Sequence, residues 1–327
     1  MNALYTVPPL RMARLRFELR PRTSFRLPPW RVGEVLYGAF GTVLRRTVCD
    51  AGCEDAEACP RRAECVYARL FEPAPIGPRF GETGGRKAFL FRTAADRDGV
   101  EISPRHPLMF EIRLFGDAID SHAVFVDAFR RLAATGLADR AVDLISVLSL
   151  DWKGTSARIL FESDRMTDGE PIRLDFRPFM ELQSPGDRIR VEFVTPAAIK
   201  DRRRRLRVPS LAAIVRRLRD RISMLSLLWE HREWAAQYKE IGEVSERAVT
   251  NRFAGAWSVH ERHSTRTRRV MPVEGFRGSV FYESVDPRLW SLLRIGEEIH
   301  VGQHVVWGNG QYRLAPWQGV ESGAVDA

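Results

Sequence analysis

Alternating apolar and polar positions in "RMARLRFELR" (residues 11–20) predict a strand near the start of the chain. The next segment, "VGEVLYGAFGTVLRR", changes period and places Val32, Val35, Leu36, Ala39, Phe40 and Val43 on one helical face. After a long cysteine-containing excursion, "KAFLFR" (87–92) and "LMFEIRLF" (108–115) read as strands. "DSHAVFVDAFRRLAATG" (120–136) reads as an amphipathic helix capped by Gly136, and "ARILFES" (157–163) as a further strand. The order is strand, helix, strand, strand, helix, strand.

The second half repeats it. "RIRVEFVTP" (188–196) is an alternating strand ended by proline. A helix begins at Pro209 or Ser210 and buries a stripe of Leu211, Ile214, Val215, Leu218, Ile222, Leu225 and Trp229. Strands around 252–260 and 276–283, the short helix "DPRLWSLLRIGEE" and the strand "QYRL" (311–314) complete the set. The pattern predicts an α+β chain of two tandem ferredoxin-like (RRM-like, β-α-β-β-α-β) domains. Residues 1–178 form the first, with a cysteine-rich insertion at 49–65, residues 179–314 the second, and 315–327 a disordered tail. Apolar runs all fall short of the ~20 residues that span a bilayer, and the N-terminus has the look of no signal peptide. A cytoplasmic protein is expected, with no membrane partner.

Charge sharpens this picture. Lys plus Arg total 51 against 42 acidic residues, a net charge of +9 in a chain that is 44% hydrophobic and 28% charged. Lysine occurs only at 87, 153, 200 and 239, so arginine supplies almost all of the positive charge. A GC-rich coding bias explains part of that. Clustering points further: "KDRRRRLR" (200–207) and "ERHSTRTRR" (261–269) concentrate cations in two short segments, as phosphate recognition requires. Arg202, Arg203, Arg204, Arg205 and Arg207, with Arg266, Arg268 and Arg269, are therefore candidate nucleic-acid contacts; a solvated charge run is the alternative.

Near the C-terminus, "GEEIHVGQHVVWGNGQY" (296–312) packs four glycines and two histidines into an otherwise apolar stretch. Glycine in such a place marks a bend or a close approach of backbone or ligand. Tight turns account for Gly308 and Gly310, less readily for Gly296 and Gly302.

Three blocks carry a family resemblance: the first helix with the following cysteines and "CVYARLFEP" (65–73), "VEFVTPAAIKDRRRRL", and "GFRGSVFYESVDPRLWSLLRIGEEIHVGQHVVWGNGQYRL" (275–314). In this order the chain resembles the CRISPR-associated endoribonucleases of the RAMP superfamily, Cas6 type, which process precursor guide RNA for antiviral defence. The resemblance implies RNA held across two ferredoxin-like domains and cleavage at the repeat without a catalytic metal. It also implies CRISPR repeat RNA, and other effector subunits, as partners. The glycines, with Gly302, Gln303, Gly308 and Gly310 as contacts, would let amides approach RNA phosphates.

Metal-free RNA cleavage uses the neighbouring 2′-hydroxyl as nucleophile. It needs a base, an acid for the 5′-oxygen and positive charge on the phosphorane, and imidazole suits both proton roles. Many relatives carry a histidine in or after the first helix; residues 31–50 here contain none, and Tyr37 is that helix's aromatic hydroxyl, lying off its apolar stripe. His300 matches the histidine of the glycine signature, His304 follows four residues on, and on a strand the two would share a face. His300, His304 and Tyr37 are the catalytic candidates, with Lys200 for a version that relies on cations, aided by Arg203 and Arg204. His260 and His263 read as RNA-contacting or exposed, and His106, His122 and His231 as structural.

Cys49, Cys53, Cys59 and Cys65 are the chain's cysteines. Four thiolates around one structural Zn²⁺ is the better reading, with an iron–sulfur cluster as the alternative and disulfides disfavoured. Competing functions are a non-catalytic guide-RNA-binding subunit, favoured by the missing first-helix histidine, and a zinc-containing DNA-binding regulator. Against the regulator, the chain shows no helix-turn-helix pattern.

Overall fold

The computed structural model describes residues 4–49, 56–73, 87–93, 99–201, 204–263 and 270–318. The first half builds β1 (Met12–Pro21), β2 (Phe25–Leu27), α1 (Val32–Val48), α2 (Val66–Phe71), β3 (Phe89–Thr93), β4 (Val100–Ile102) and β5 (Leu108–Phe115). After a 3-10 turn follow α3 (His122–Thr135), β6 (Val142–Leu150), β7 (Ala157–Glu162), β8 (Arg165–Met166) and α4 (Arg177–Met180). The strands form a sheet of order β3-β5-β1-β6-β7-β8, with β1 antiparallel to both β5 and β6. Phenylalanines gather where α1 and α3 cover this sheet: Phe40 stacks on Phe125 at 4.8 Å, and Phe17 meets Phe129 at 5.1 Å. Each such ring contributes about 1.5–3 kcal/mol by leaving water.

The strand that closes this core on β1 is β6, not the predicted 157–163, which lies one position farther out as β7. In "VDLISVLSL" the extra residue Ile145 falls between the partners of Glu18 and Leu19, where the register with β1 shifts. A bulge breaks simple alternation, so periodicity alone does not mark the strand. Gly136 does close α3, at φ +78° with its amide on the Leu132 carbonyl.

The second half builds β9 (Ile189–Ala197), the small hairpin β10 (Lys200–Asp201) and β11 (Arg204–Arg205), α5 (Leu211–Trp229), α6 (Tyr238–Glu246), β12 (Val249–His263) and β13 (Val270–Glu283). It ends with α7 (Trp290–Ile299) and β14 (Tyr312–Pro316). Its sheet has the order β12-β13-β9-β14, all neighbours antiparallel. Ser210 caps α5 by accepting the Ala213 amide at 3.3 Å, and every residue of the predicted stripe is buried. β14 runs past the predicted boundary at 314. The Trp317 amide bonds the Arg188 carbonyl, and its ring lies 5.3 Å from Phe281, so the tail does not begin at 315. Among the described residues, no helix is long and apolar enough to cross a membrane.

The two halves meet at the C-terminal end of α7. Arg92 on β3 donates to the Glu297 carbonyl at 3.2 Å, Arg113 on β5 to the Glu298 carbonyl at 3.0 Å, and Arg221 on α5 to the Ile299 carbonyl at 2.8 Å. A helix end leaves its last carbonyls without intrahelical donors and carries partial negative charge, which cations compensate. The chain that leaves this anchored helix end is the glycine segment.

Candidate functional site

The glycines answer to the protein's own backbone. A Cβ on Gly310 (φ +70°) would lie 1.8 Å from the Val301 carbonyl oxygen, one on Gly302 (φ +101°) 2.8 Å from that of Ala198, and one on Gly308 (φ +89°) 2.9 Å from that of Phe91. A Cβ on Gly296 would meet the Tyr312 hydroxyl at 2.0 Å. The amides of Gln303, Gly308 and Gly310 are already donated to Ala198, Val305 and Pro196. The expected cradle of glycine amides for phosphate is thus turned inward at these positions. Gly33, in the first turn of α1, completes the packing: a Cβ there would stand 2.0 Å from the Trp307 carbonyl oxygen. Side chains are missing so that the loop can fold on itself and lie against β3, the segment after β9 and α1.

His300 does not share a face with His304. It ends α7 at φ +59°, is fully buried, and neither ring nitrogen completes a hydrogen bond, although the Asn309 backbone lies beside it. Burial, and then Arg92, Arg113 and Arg221, push its pKa well below the usual imidazole value. A neutral ring sealed inside the protein cannot touch RNA. Its neighbours form an ionic core, with Arg113 only 1% exposed and paired with Glu298, and Glu111 held by Arg14 at 2.9 Å. Burial favours the neutral form of Glu111, but Arg14 and Arg113 outweigh it and hold the carboxyl down at about 2. Burial likewise lowers Arg113 to about 10 and Arg221 to about 9, leaving both charged at neutral pH.

Outside this core, the loop, α1 and β12 bring together groups that chemistry can use. His260 Nε2 lies 2.6 Å from Glu34 Oε1, and the Glu34 side chain is only 3% exposed. Arg31 stands 3.5 Å from the other carboxylate oxygen. His304, in a left-handed conformation (φ +59°), stacks flat on Trp307 with centroids 4.2 Å apart and planes 6° apart. Burial first, then Arg262, Arg205 and His260, lower its pKa to about 4 against the opposing pull of Glu34. Arg262, two residues from His260 and so on the same face of β12, lies 4.3 Å over Trp307. The cluster contains two imidazoles, a carboxylate that fixes one of them, and a guanidinium.

Tyr37 belongs to the wall of this cluster. Its ring is 8% exposed, stacks on Phe71 at 4.6 Å, and its hydroxyl takes a hydrogen bond from Lys87, whose ammonium also lies 4.4 Å over Phe71. The expectation that Tyr37 faces a ligand is corrected: residues off the apolar stripe are covered by α2. His260 reads from sequence as RNA-contacting or exposed, and its pairing with Glu34 was not foreseen. They lie on different halves, and a first-turn acid on α1 and a histidine on an alternating strand each look ordinary alone.

Lys200 sits opposite Arg205 in the β10–β11 hairpin, and no described contact joins it to the Glu34–His260 pair. Arg205 pairs with Glu274, Arg207 lies 4.9 Å over Trp257, and Arg204 is exposed. Arg202, Arg203, Arg266, Arg268, Arg269 and Cys53 lie outside the described residues. Cys49 ends α1, Cys65 precedes α2, and both, with Cys59, are half-buried. Among the described residues no three His, Cys, Asp or Glu side chains gather as a metal site. The expected four-thiolate zinc site includes Cys53, which lies outside the described residues. The other histidines are structural or peripheral: His122 Nδ1 sits 3.2 Å from the Ile119 carbonyl, and His231 3.3 Å from Asp117.

Comparison with known proteins places this arrangement. The chain has the mixed α/β architecture with antiparallel sheets of solved Cas6 structures. Thermus thermophilus Cas6 superposes with a TM-score of 0.54 at 16% identity, covering 94% of this chain and 99% of that one. A Cas6 product complex gives 0.55 at 18%, covering 93% and 100%. A Cas6-RT-Cas1–Cas2 complex gives 0.54 at 11%, covering 97% of this chain and 48% of that one. A protein of Archaeoglobus fulgidus, described as uncharacterized, is 24% identical over 301 residues, which is 89% of this chain and 93% of its own length. Residues 10–171 match a family model described as an N-terminal domain, and residues 191–312 match that of the CRISPR-associated endoribonuclease Cas6. The Cas6 family match thus falls on the second half of the chain, within an architecture shared with solved Cas6 structures.

Proposed function

We propose that this protein is an endoribonuclease that binds CRISPR repeat RNA and cuts precursor guide RNA by 2′-hydroxyl attack. Its two halves are read as tandem ferredoxin-like domains, supported by the order β3-β5-β1-β6 in one sheet and β12-β13-β9-β14 in the other. The observation that carries the function is the meeting of His260, Glu34, His304 and Arg262 where α1, β12 and the glycine loop converge.

The roles follow from charge. His304, neutral near pH 7, takes the proton of the 2′-hydroxyl. The freed oxygen attacks the adjacent phosphorus, and the phosphorane's negative charge falls to Arg262. His260 gives a proton to the departing 5′-oxygen, with Glu34 fixing the ring and compensating the charge it carries while protonated. The P–O5′ bond breaks as the P–O2′ bond forms, leaving a 2′,3′-cyclic phosphate and a 5′-hydroxyl. All of the proton carriers in this scheme are side chains.

The test is incubation of the protein with labelled repeat RNA in EDTA, beside the same RNA carrying a 2′-deoxy residue at the cut. Cleavage of the first, none of the second, and loss in His260→Ala and His304→Ala are expected. Tight binding of both RNAs without cleavage would replace this reading with a guide-holding subunit.

A further inference from the structure

The open face of the second sheet carries a line of groups that the cleavage chemistry does not use. Side chains alternate along a strand, so Arg252, Ala254, Ala256, Ser258, His260 and Arg262 share one face of β12. That face continues across β13, because Arg252 is in register with Phe281, Ala254 with Ser279 and Ala256 with Arg277. It reaches β9 and β14 through Arg190, opposite Phe281, and Glu192, opposite both Ser279 and Arg313.

Three features succeed one another with distance from His260. First, Arg277 lies 3.6 Å over Trp30, which immediately precedes Arg31 and the turn bearing Glu34. Next comes an open cavity of about 330 Å³, lined by Ala254, Gly255, Ala256, Arg277, Gly278 and Arg313 among others. Its floor is low because Ala254, Ala256 and Ser279 carry small side chains on this face, and the backbones of Gly255 and Gly278 run between them. Last, Arg252 lies 4.3 Å over Phe281 and 5.7 Å from the ring of Trp317, which itself is 5.3 Å from Phe281. Arg190, Arg252, Arg277 and Arg313 stand against Glu192 as the acid among the cavity residues. A floor of small residues, flat aromatic rings and an excess of guanidiniums is the chemistry that holds single-stranded nucleic acid without reading its sequence.

We infer that this face is a track for a single-stranded RNA segment, leading from the cleavage cluster across the second sheet to Trp317. The inference rests on the proposed function for which RNA it takes, not for whether it binds. Phosphates lie along Arg277, Arg313 and Arg252; a base enters the cavity over Ala254, Ala256 and Ser279, and another stacks at Trp317. From His260 to Arg252 is eight residues of strand, about 27 Å. That span accommodates several extended nucleotides, so the segment is the single strand flanking the cut rather than the cut dinucleotide.

The experiment is fluorescence anisotropy of the full chain with a labelled ten-nucleotide single-stranded oligouridylate, and separately with repeat RNA bearing or lacking a single-stranded extension. Arg252→Ala/Arg313→Ala and Trp317→Ala are compared with the parent. Oligouridylate binding is expected to weaken about tenfold in each variant. The logarithmic salt slope should fall by about 0.7 per arginine removed. Repeat RNA with the extension should lose affinity and repeat RNA without it should not, while the cleavage rate at saturating RNA is unchanged. Photocrosslinks from 4-thiouridine in the oligonucleotide should fall on Trp317 or the β13 peptide. Equal binding by parent and variants, or crosslinks confined elsewhere, overturns the track and leaves the nuclease standing. Oligouridylate binding that depends on these residues, in a protein that cleaves nothing, upholds the track and fails the nuclease instead.

Discussion

Glu34 and His260 are 226 positions apart in the chain and share a hydrogen bond of 2.6 Å. The carboxylate is supplied by the first turn of α1 and the imidazole by a strand of the other half. A buried carboxylate bonded to a partly exposed ring holds one of its nitrogens and leaves the ring's opposite edge to face a substrate.

His260→Ala should lower the single-turnover cleavage rate by about 10²–10⁴-fold with RNA affinity nearly intact, since proton transfer is what is lost. Glu34→Gln keeps a hydrogen-bonding group but removes the charge, so a smaller fall, about tenfold, is expected. Unchanged rates in both would remove the pair from the chemistry.

The pH profile separates the two imidazoles. His304 is held at about 4 by burial and neighbouring cations. The acidic limb of kcat/KM, which reports the free enzyme, should therefore fall near pH 4 rather than 6.5. A limb at 6.5 would assign the base elsewhere.

His300 makes stability depend on acid. Its folded-state pKa is depressed well below 6.5, so between the two values the unfolded chain binds a proton that the folded chain refuses. Stability from this group is complete above about pH 7 and is lost as pH falls below 6.5. Thermal melts at pH 7.5 and 5.0 should differ for the parent, and by less for His300→Gln, which cannot titrate.

Gly33→Ala tests the seam itself. The added methyl would stand 2.0 Å from the Trp307 carbonyl oxygen, which is backbone and cannot turn away. A stability loss of about 1–3 kcal/mol is expected from denaturant melts, with a fall in cleavage from displacement of His304. Gly38→Ala on the same helix meets nothing within 4 Å and should be harmless.

The elements with strong periodicity were legible in the sequence. The stripe of α5 and its Ser210 cap, the strands β1, β5 and β9, and the Gly136 cap stand where the residue pattern puts them. β6 was not, because the bulge at Ile145 breaks its alternation in the middle. The candidate site was legible only in part. His304 carried a local signal through the glycine signature, yet its difference from His300, half-buried on Trp307 against sealed in the core, depends on where α7 ends. Tyr37 looked available because α2, which covers it, lies beyond a long excursion in sequence. Glu34 and His260 acquire meaning only through each other, and a pairing across the whole chain leaves no trace in either neighbourhood.

The arginines that cap α7 have a consequence for how the protein unfolds. Arg113 and Arg92 come from the first sheet, Arg221 from the second half, and all three converge on the last carbonyls of one helix. Parting the halves would strand Glu298 beside a broken pair and open His300 to water in the same motion. Neither half alone supplies every partner of those charges. The two sheets are therefore expected to melt in one cooperative transition, with the loop bearing His304 losing its geometry only in that transition.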